Sequence, residues 1–223
     1  MTAMILAAGR GERMRPLTDT VPKALLEVAG ESLLERHLRM IARHGIRNVV
    51  INLHWLGEQI IDRIGDGHRF GLQVSYSPEF DAALESAGGM QRALPMLGRN
   101  PFWAVNADVL VDIDLPQITL ADNVMAHLLL VPTPAYKAHG DFDMADGKLQ
   151  NAEQPTLTYS GIALYRPEFF HGLEAGSAAL RPMLVDGADA GQISASMLEG
   201  SWADIGTIER LEAARAHHAG QLM

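Results

Sequence analysis

Two patterns of hydrophobic residues alternate along the first half of the chain, one typical of buried strands and one typical of helices. Short runs that are almost entirely apolar, such as residues 48–53, are typical of parallel strands covered on both faces of a sheet. Between such runs, apolar residues recur at helical spacing, as in the segment 32–43. The predicted elements are strands at 3–8, 48–53, 72–77 and 102–106 and helices at 32–43, 56–64 and 88–97. This alternation of strands and helices predicts an α/β fold with a mostly parallel sheet.

The second half of the chain has a less regular pattern. The predicted elements there are strands at 124–131, 157–165 and 192–198, a hairpin within 141–149, and helices after Pro167, at 178–185 and at 207–217. The turn dipeptide Asp146-Gly147 places the bend of the hairpin. Because no repeat and no low-complexity linker divides the chain, we expect a single domain over residues 1–223.

Composition and charge exclude several classes of protein. The net charge of −9 argues against a nucleic-acid partner, since a surface that follows phosphates needs a basic excess. The sequence has no cysteine, which excludes disulfides and thiolate zinc sites and fits a reducing compartment. Its longest apolar stretch, 124–131, is too short to span a bilayer, and no basic region precedes Met4 as in a secretory signal. We therefore expect a cytoplasmic protein with no membrane partner.

The loop after the first predicted strand carries the strongest chemical signal. It contains two glycines and four cations before the next element, namely Gly9, Gly11, Arg10, Arg13, Arg15 and Lys23. Glycines let backbone amides approach an anion, and nearby cations complete a phosphate site. The chain has only three lysines against fifteen arginines, so a lysine in this loop is more than general surface charge. A dinucleotide fingerprint would need glycine at Met14, and the Gly-Lys-Ser/Thr of a P-loop does not occur.

The complete motif around this loop is long and specific. It reads Leu6-Ala7-Ala8-Gly9-x-Gly11-x-Arg13-Met14-x-Pro16-Leu17-Thr18 and is followed by Pro22-Lys23. This motif resembles the signature of the sugar-1-phosphate nucleotidylyltransferases. The resemblance implies a Rossmann-like, mostly parallel mixed sheet flanked by helices, of the nucleotide-diphospho-sugar transferase type, with a sugar-binding lobe. It also implies that residues 1–115 mainly bind the nucleotide and residues 116–223 mainly bind the sugar.

The same resemblance assigns roles on the nucleotide side. It implies that Lys23 holds the α-phosphate during attack and that Arg13 holds the β- and γ-phosphates, which makes both residues catalytic. Asp108 and Asp204 resemble the metal-binding aspartates of the family and are expected to hold Mg²⁺ as cofactor. The remaining expected nucleotide contacts are Ala8, Gly9, Gly11, Glu12, Ala87, Gly88 and Asn106. The backbone groups of Ala87 and Gly88 are expected to read the base, although Glu85 stands where many members have glycine.

Sugar contacts are expected from the second half of the chain. By the resemblance these contacts are Gly140, Glu153, Tyr159, Ser160 and Gly161. The chain departs from the family at Gln154, where a lysine usually meets the sugar phosphate. Lys137, Lys148 or a second metal ion could supply the missing charge.

The resemblance leaves the substrate pair open. The stretch 84–89 and the altered sugar positions are most similar to members that join UTP to N-acetylmuramate 1-phosphate in peptidoglycan recycling. Alternatives are a uridylyl-, guanylyl- or thymidylyltransferase for glucose, mannose or N-acetylglucosamine 1-phosphate, and a non-catalytic nucleotide-sugar sensor. Retention of Arg13, Lys23, Asp108 and Asp204 favours an enzyme over a sensor. The expected partners are UTP and a sugar 1-phosphate, with no nucleic acid and no membrane, and the expected state is a monomer or a small homo-oligomer.

Overall fold

The apolar runs of the sequence form the central strands of one large mixed sheet. The structure is a computed structural model that describes residues 1–79 and 82–220. Its strands are β1 (Thr2–Leu6), β2 (Glu27–Val28), β3 (Glu31–Ser32), β4 (Asn48–Leu53), β5 (Gln73–Pro78), β6 (Phe102–Asn106), β7 (Val109–Asp112), β8 (Ala126–Pro132), β9 (Asp143–Ala145), β10 (Lys148–Gln150), β11 (Leu157–Tyr165), β12 (Ile193–Met197) and β13 (Ser201–Asp204). Its α-helices are α1 (Leu33–Arg43), α2 (Gly57–Ile64), α3 (Glu85–Leu97), α4 (Leu180–Asp189) and α5 (Ile208–Gly220).

The large sheet has nine strands in the order β5-β4-β1-β6-β11-β8-β12-β10-β9. Strands β5, β4, β1 and β6 are parallel to one another, while β10 and β11 run against the other strands. The sheet is therefore mixed and mostly parallel, as predicted. Because β11 pairs with β6 and β8, strands from the second half of the chain extend the sheet that the first half begins.

Helices cover both faces of the sheet and bury it. One core cluster packs Leu34, Leu38 and Ile41 of α1 against β1, β4 and β6. A second cluster packs Met90 of α3 and Leu184 of α4 against the other face. This double coverage explains why β4 and β6 are nearly continuous apolar runs. None of the helices within the described ranges has the length and apolar character needed to cross a membrane.

Two small antiparallel pairs were not predicted from the hydrophobic pattern. Strands β2 and β3 form a short hairpin before α1. Strands β7 and β13 pair although about 90 residues separate them, with Val109 opposite Asp204 and Asp112 opposite Ser201. The second pair joins the segment after β6 to the segment after β12 and takes part in the site described below.

Glu35 links α1 to α2 through a buried carboxylate. Its side chain completes a capping box with Ser32 and accepts hydrogen bonds from Arg63 at 3.1 Å and from Arg69 at 2.7 Å. Burial alone would raise the pKa of Glu35, but the hydrogen bonds from Arg63 and Ser32 outweigh it and lower the pKa from 4.5 to about 2. The ionised form of Glu35 therefore stabilises the fold at neutral pH.

Glu35→Gln is expected to lower the free energy of unfolding at pH 7 by about 2 kcal/mol, because it removes a buried charged acceptor. A pKa that folding lowers gives stability above the unfolded pKa and loses it as pH falls toward the folded pKa. The difference between wild type and variant should therefore shrink as the pH falls from 4.5 toward 2. Urea denaturation at several pH values measures this difference in the free energy of unfolding. Glu58→Gln, which makes the same change at an exposed position, is the control. A difference that stays constant across this range would contradict the pKa assignment.

Candidate active site

The carboxyl ends of three neighbouring parallel strands meet at one edge of the sheet. Leu6 at the end of β1 lies opposite Asn52 of β4 on one side and Asn106 of β6 on the other. The loops that follow these strands therefore leave the sheet side by side. Ligands of open α/β sheets bind at this edge, so the topology brings the predicted nucleotide residues together.

The first loop folds into a compact cradle after β1. Short 3₁₀ turns form at Glu12–Met14, Leu17–Asp19 and Lys23–Leu25. Gly11 has a φ of +69°, and a Cβ on it would lie 3.0 Å from Thr18 and 3.2 Å from Lys23. The Thr18 hydroxyl donates to the Gly11 carbonyl at 2.8 Å. Glycine at position 11 thus lets the loop return on itself and brings Lys23 beside the strand ends.

Side chains from the turn before α2 and from its first residues hold the outer part of this loop in place. Trp55 Nε1 donates to the Thr18 carbonyl at 2.9 Å, and Gln59 Nε2 donates to the Thr20 carbonyl at 3.0 Å. The Arg10 guanidinium lies 4.4 Å from the centre of the Trp55 ring. The cradle is therefore held in shape by contacts outside the site as well as by its own turns.

A cleft of about 460 Å³ lies between this loop, the strand ends and the start of α3. Nearly all predicted nucleotide residues line it, namely Ala8, Gly9, Gly11, Glu12, Arg13, Lys23 and Asn106. Asp108, Asn52, Glu79, Glu85 and Ser86 complete much of the wall. The volume is sufficient for a small ligand such as a nucleotide.

A buried polar network that the sequence did not predict supports this cleft. Asn52 Oδ1 accepts the Ala7 amide at 2.7 Å, and Asn52 Nδ2 donates to Glu79 Oε1 at 2.7 Å. The other oxygen of Glu79 accepts the Leu84 amide at 2.8 Å. These bonds tie the ends of β1, β4 and β5 to the start of α3. A polar residue at the end of an otherwise apolar strand, as at Asn52, is the signal that could have revealed the network.

Asp108 and Asp204 come together through the β7–β13 pair. Asp204 lies opposite Val109 in that pair, and the Ile205 amide donates to the Asp108 carbonyl at 2.9 Å. Lys23 Nζ donates to Asp108 Oδ2 at 2.7 Å, and only 11% of the Lys23 side chain is exposed. The lysine and the two aspartates are thus neighbours although they are far apart in the sequence.

A second cavity of about 170 Å³ opens on the side of the second half of the chain. It shares Arg13, Asn106 and Asp108 with the first cleft. Its other described lining residues come from four regions, and they are Val109, Tyr136, Lys137, Thr158, Tyr159, Ser160, Gly161, Trp202 and Asp204. The shared residues mark the junction at which a ligand in one space would meet a ligand in the other.

Charged and aromatic groups surround Asp204 in this second cavity. Arg210 Nη1 donates to Asp204, and the Arg210 guanidinium lies 3.7 Å from the centre of the Tyr136 ring. The Tyr136 hydroxyl donates to Asp204 Oδ2 at 3.5 Å. Burial and the neighbouring carboxylate raise the pKa of Tyr136, so this residue keeps its proton at neutral pH.

Behind the junction, the residue His37 is completely buried. Burial lowers the pKa of His37 to about 4, and the negative charge of Asp108 only partly opposes this effect. His37 is therefore neutral at neutral pH and adds no positive charge that would compete with Lys23 for Asp108.

Magnesium fits the donor set at the junction. It prefers carboxylate oxygens and usually completes its coordination with substrate phosphates and water. Asp204 lies opposite Val109 in the β7–β13 pair, Asp108 directly precedes Val109, and both aspartates line the second cavity. Across residues 1–79 and 82–220, no group of three or more histidine, cysteine, aspartate or glutamate side chains could hold a metal alone. A metal here would therefore rely on ligands from the substrates.

The amides of Ala87 and Gly88, which are predicted base contacts, have partners within the protein. Both amides already donate to the Ala178 carbonyl, at 3.0 Å and 3.2 Å. A Cβ on Gly88 would lie 2.2 Å from the Gly176 carbonyl oxygen, so glycine serves close packing there. The residues of this stretch that do line the cleft are Glu85 and Ser86.

Two of the five predicted sugar contacts do not line the second cavity as far as it is described. Gly140 and Glu153 are absent from the described lining of the second cavity. Glu153 is exposed, and the Gly140 amide donates to the Pro155 carbonyl at 2.8 Å. Tyr159 lines the cavity, but its hydroxyl lies 3.4 Å from the hydroxyl of Tyr165 in the core. Burial raises the pKa of Tyr159 well above its ordinary value.

Ser160 and Gly161, which are predicted sugar contacts, line the second cavity. Ser160 is fully buried, and its hydroxyl accepts the Ile162 amide at 3.2 Å. The Trp202 indole donates to the Ser160 carbonyl at 2.8 Å and so joins β13 to β11. The sequence did not identify Tyr136, Thr158 and Trp202 as lining residues, because their approach depends on strand pairing between distant segments.

Comparison with known proteins agrees with this arrangement. Residues 2–139 match the family model described as nucleotidyl transferase. The chain is 47% identical over 225 residues to N-acetylmuramate alpha-1-phosphate uridylyltransferase of Neisseria meningitidis serogroup B, with 97% of each chain covered. It is 30% identical to the enzyme of the same name from Caulobacter vibrioides, covering 97% of this chain and 96% of that relative. The fold of HddC from Yersinia pseudotuberculosis, solved with GMP-PN, matches with a TM-score of 0.77 at 18% identity, over 97% of this chain and 99% of HddC. The chain therefore belongs to the nucleotidyl transferase family and, within it, to the sugar-1-phosphate nucleotidylyltransferases.

Proposed function

We propose that this protein joins UTP to N-acetyl-α-muramate 1-phosphate and releases UDP-N-acetylmuramate and pyrophosphate. The observation that carries the reaction type is the meeting of two cavities at Arg13, Asn106 and Asp108. A nucleotide in the larger cleft and a sugar phosphate in the smaller cavity would bring their phosphates to these residues. The choice of UTP and of N-acetylmuramate rests on the 47% identity to the Neisseria enzyme.

The proposed transfer breaks one P–O bond and forms one P–O bond. A phosphate oxygen of the sugar 1-phosphate attacks the α-phosphorus, and the bond from that phosphorus to the oxygen bridging to the β-phosphate breaks. The nucleophile is already anionic near neutral pH, because the second pKa of a phosphate monoester is about 6. The protein therefore has to position anions and neutralise charge, and it needs no general base.

The cations of the first loop suit this task. Lys23 is proposed to hold the α-phosphate, because its ammonium retains two donors beyond the one given to Asp108. Arg13 lines both cavities and is proposed to hold the β- and γ-phosphates that leave as pyrophosphate. Asp108 and Asp204 would hold Mg²⁺, which would supply further neutralisation of phosphate charge when bound. Ala8, Gly9, Gly11 and Glu12 are proposed to shape the nucleotide cleft, and Ser160 and Gly161 the sugar cavity.

We further propose that the reaction belongs to peptidoglycan recycling and takes place in the cytoplasm. The absence of cysteine from the sequence agrees with a reducing compartment. The proposal needs no protein partner, and a monomer or a small homo-oligomer satisfies it. A non-catalytic sensor is the less favoured function, because a sensor has no need to keep Lys23 paired with Asp108 beside Arg13.

A pyrophosphate-release assay tests the proposal. The purified chain is supplied with UTP, GTP or dTTP and with the 1-phosphates of N-acetylmuramate, N-acetylglucosamine, glucose or mannose. The expected result is the highest kcat/KM with UTP and N-acetylmuramate 1-phosphate and loss of activity when EDTA removes divalent cations. A clear preference for glucose or mannose 1-phosphate would overturn the substrate assignment, and no release with any pair would favour the sensor.

A further inference from the structure

The second cavity contains one charged side chain to which the proposed transfer gives no role. Of the described residues that line it, four are charged, namely Arg13, Asp108, Lys137 and Asp204. Arg13 and the two aspartates serve the phosphates and the metal. We infer that Lys137 binds the carboxylate of the lactyl group of N-acetylmuramate 1-phosphate, and so selects this acidic sugar; the inference rests on the proposed function.

The position of Lys137 favours the sugar over the reacting phosphates. The residues that line both cavities, and so mark the place of phosphate transfer, are Arg13, Asn106 and Asp108. Lys137 lines the second cavity and is not among the described residues of the first cleft. Its ammonium is thus available to a substituent of the sugar ring, on the side away from the nucleotide.

The contacts of Lys137 place its ammonium and leave room for a ligand. Nζ donates to Asp141 Oδ1 at 3.0 Å and to Oδ2 at 2.9 Å, and it lies 3.5 Å from Thr158 Oγ1. The side chain is 33% exposed, so it is neither freely solvated nor sealed in the core. A lysine ammonium has three donors, and the third, which makes only the long 3.5 Å bond to Thr158 Oγ1, can turn to a ligand oxygen without breaking the pair with Asp141.

Asp141 would not lose all its partners if Lys137 turned toward a ligand. The Tyr159 amide donates to Asp141 Oδ2 at 3.1 Å. The Arg181 guanidinium lies 3.6 Å from Asp141 Oδ1. Asp141 therefore holds the Lys137 ammonium in place and keeps two further contacts of its own.

The chemistry of the sugar explains why a cation is useful at this place. N-acetylmuramate differs from N-acetylglucosamine by an ether-linked lactyl group on O3, which ends in a carboxylate. An ammonium and a carboxylate form a charge-assisted hydrogen bond in a partly shielded site. The sugar without the lactyl group offers no anion there, so Lys137 would distinguish the two sugars by charge.

Steady-state kinetics of Lys137→Gln test this inference. With UTP, kcat/KM for N-acetylmuramate 1-phosphate should fall roughly 10- to 100-fold, the effect of losing one hydrogen bond to a charged group. The kcat/KM for N-acetylglucosamine 1-phosphate should change little. Lys148, which the sequence offered as another source of this charge, is exposed on β10 and is not among the described lining residues of either cavity. Lys148→Gln therefore makes the same charge change away from the site and should leave both values unchanged. Lys137→Arg keeps the charge and should restore part of the preference.

Three results would overturn the inference. An equal fall in kcat/KM with both sugars would mean that Lys137 binds the phosphate common to them. An unchanged kcat/KM with both sugars would mean that Lys137 binds neither substrate. Unfolding of Lys137→Gln, seen as a lower melting temperature with both activities lost, is separated from these outcomes by Lys137→Arg, which must then show the preference. Failure of the wild type to use N-acetylmuramate 1-phosphate would refute the proposed function itself, and the inference would fall with it.

Discussion

Lys23→Ala is expected to lower the turnover of nucleotidyl transfer by about 10²–10³-fold, the usual effect of removing one preorganised charge donor. The Lys23 ammonium lies in the cleft wall, 2.7 Å from Asp108, on a side chain that is only 11% exposed. Shielding from water strengthens its interaction with a phosphate that gains charge during transfer. Pyrophosphate release at saturating substrates measures the effect as a loss in kcat.

The control for Lys23→Ala must separate charge from packing. The Lys23 stem packs beside Gly11, so Lys23→Met keeps most of that contact and removes only the ammonium. Both variants should lose turnover to a similar extent, and the exposed Lys148→Ala should retain it. Near-normal turnover in Lys23→Met would show that the charge at position 23 does not take part in the reaction.

Asp108→Asn alone is expected to reduce kcat about 10²–10³-fold, as Lys23→Ala does, because it removes one charged ligand of the proposed metal. The change also keeps an oxygen that can accept from Lys23, so the fold should survive. The Mg²⁺ concentration needed for half-maximal activity should rise, since a neutral amide binds the ion more weakly. A magnesium titration of pyrophosphate release gives both quantities.

Asp112→Asn provides the matched control for Asp108→Asn. Asp112 lies at the exposed end of β7, on the same strand pair but outside the lining of both cavities as far as the chain is described. It should show wild-type turnover and wild-type magnesium dependence. An unchanged magnesium dependence in Asp108→Asn would contradict the role of this carboxylate as a metal ligand.

Strands that are buried on both faces were the most predictable part of the fold. The bounds predicted for β4 and β6 agree with those of the structure, because a continuous apolar run has no other stable place in an α/β protein. The prediction for β1 ran to Ala8, whereas the strand ends at Leu6. The Ala7 amide leaves the sheet ladder to donate to the side chain of Asn52, a contact that local sequence does not contain.

The predicted start of α3 was wrong because the segment contains two adjacent glycines. The predicted helix began at Gly88, but α3 begins at Glu85 and contains both Gly88 and Gly89. Low helix propensity is overridden here, because a side chain at Gly88 would collide with the Gly176 backbone and one at Gly89 with Glu79. The same packing uses the amides that were expected to read the base. Helix propensity therefore predicted that a helix lies here, but it could not predict how the start of α3 packs against the distant segment at Gly176.

Proximity of the two aspartates that we propose as metal ligands could not be read from hydrophobic periodicity. Asp108 and Asp204 meet because β7 pairs with β13, and both strands are only four residues long. Short strands carry little pattern, and pairing over a long separation depends on the whole fold. The resemblance to a family suggested these aspartates, whereas the strand pair gives the physical reason that they lie close together.

The most direct test of the central claim follows the α-phosphate of UTP. The chain is incubated with Mg²⁺, N-acetylmuramate 1-phosphate and UTP that carries ³²P at the α-position, and the products are separated. If the two cavities join a nucleotide to a sugar phosphate at Lys23 and Asp108, the label will appear in UDP-N-acetylmuramate together with an equal amount of pyrophosphate. Label that remains in UTP, or that appears only in UMP, would contradict the account.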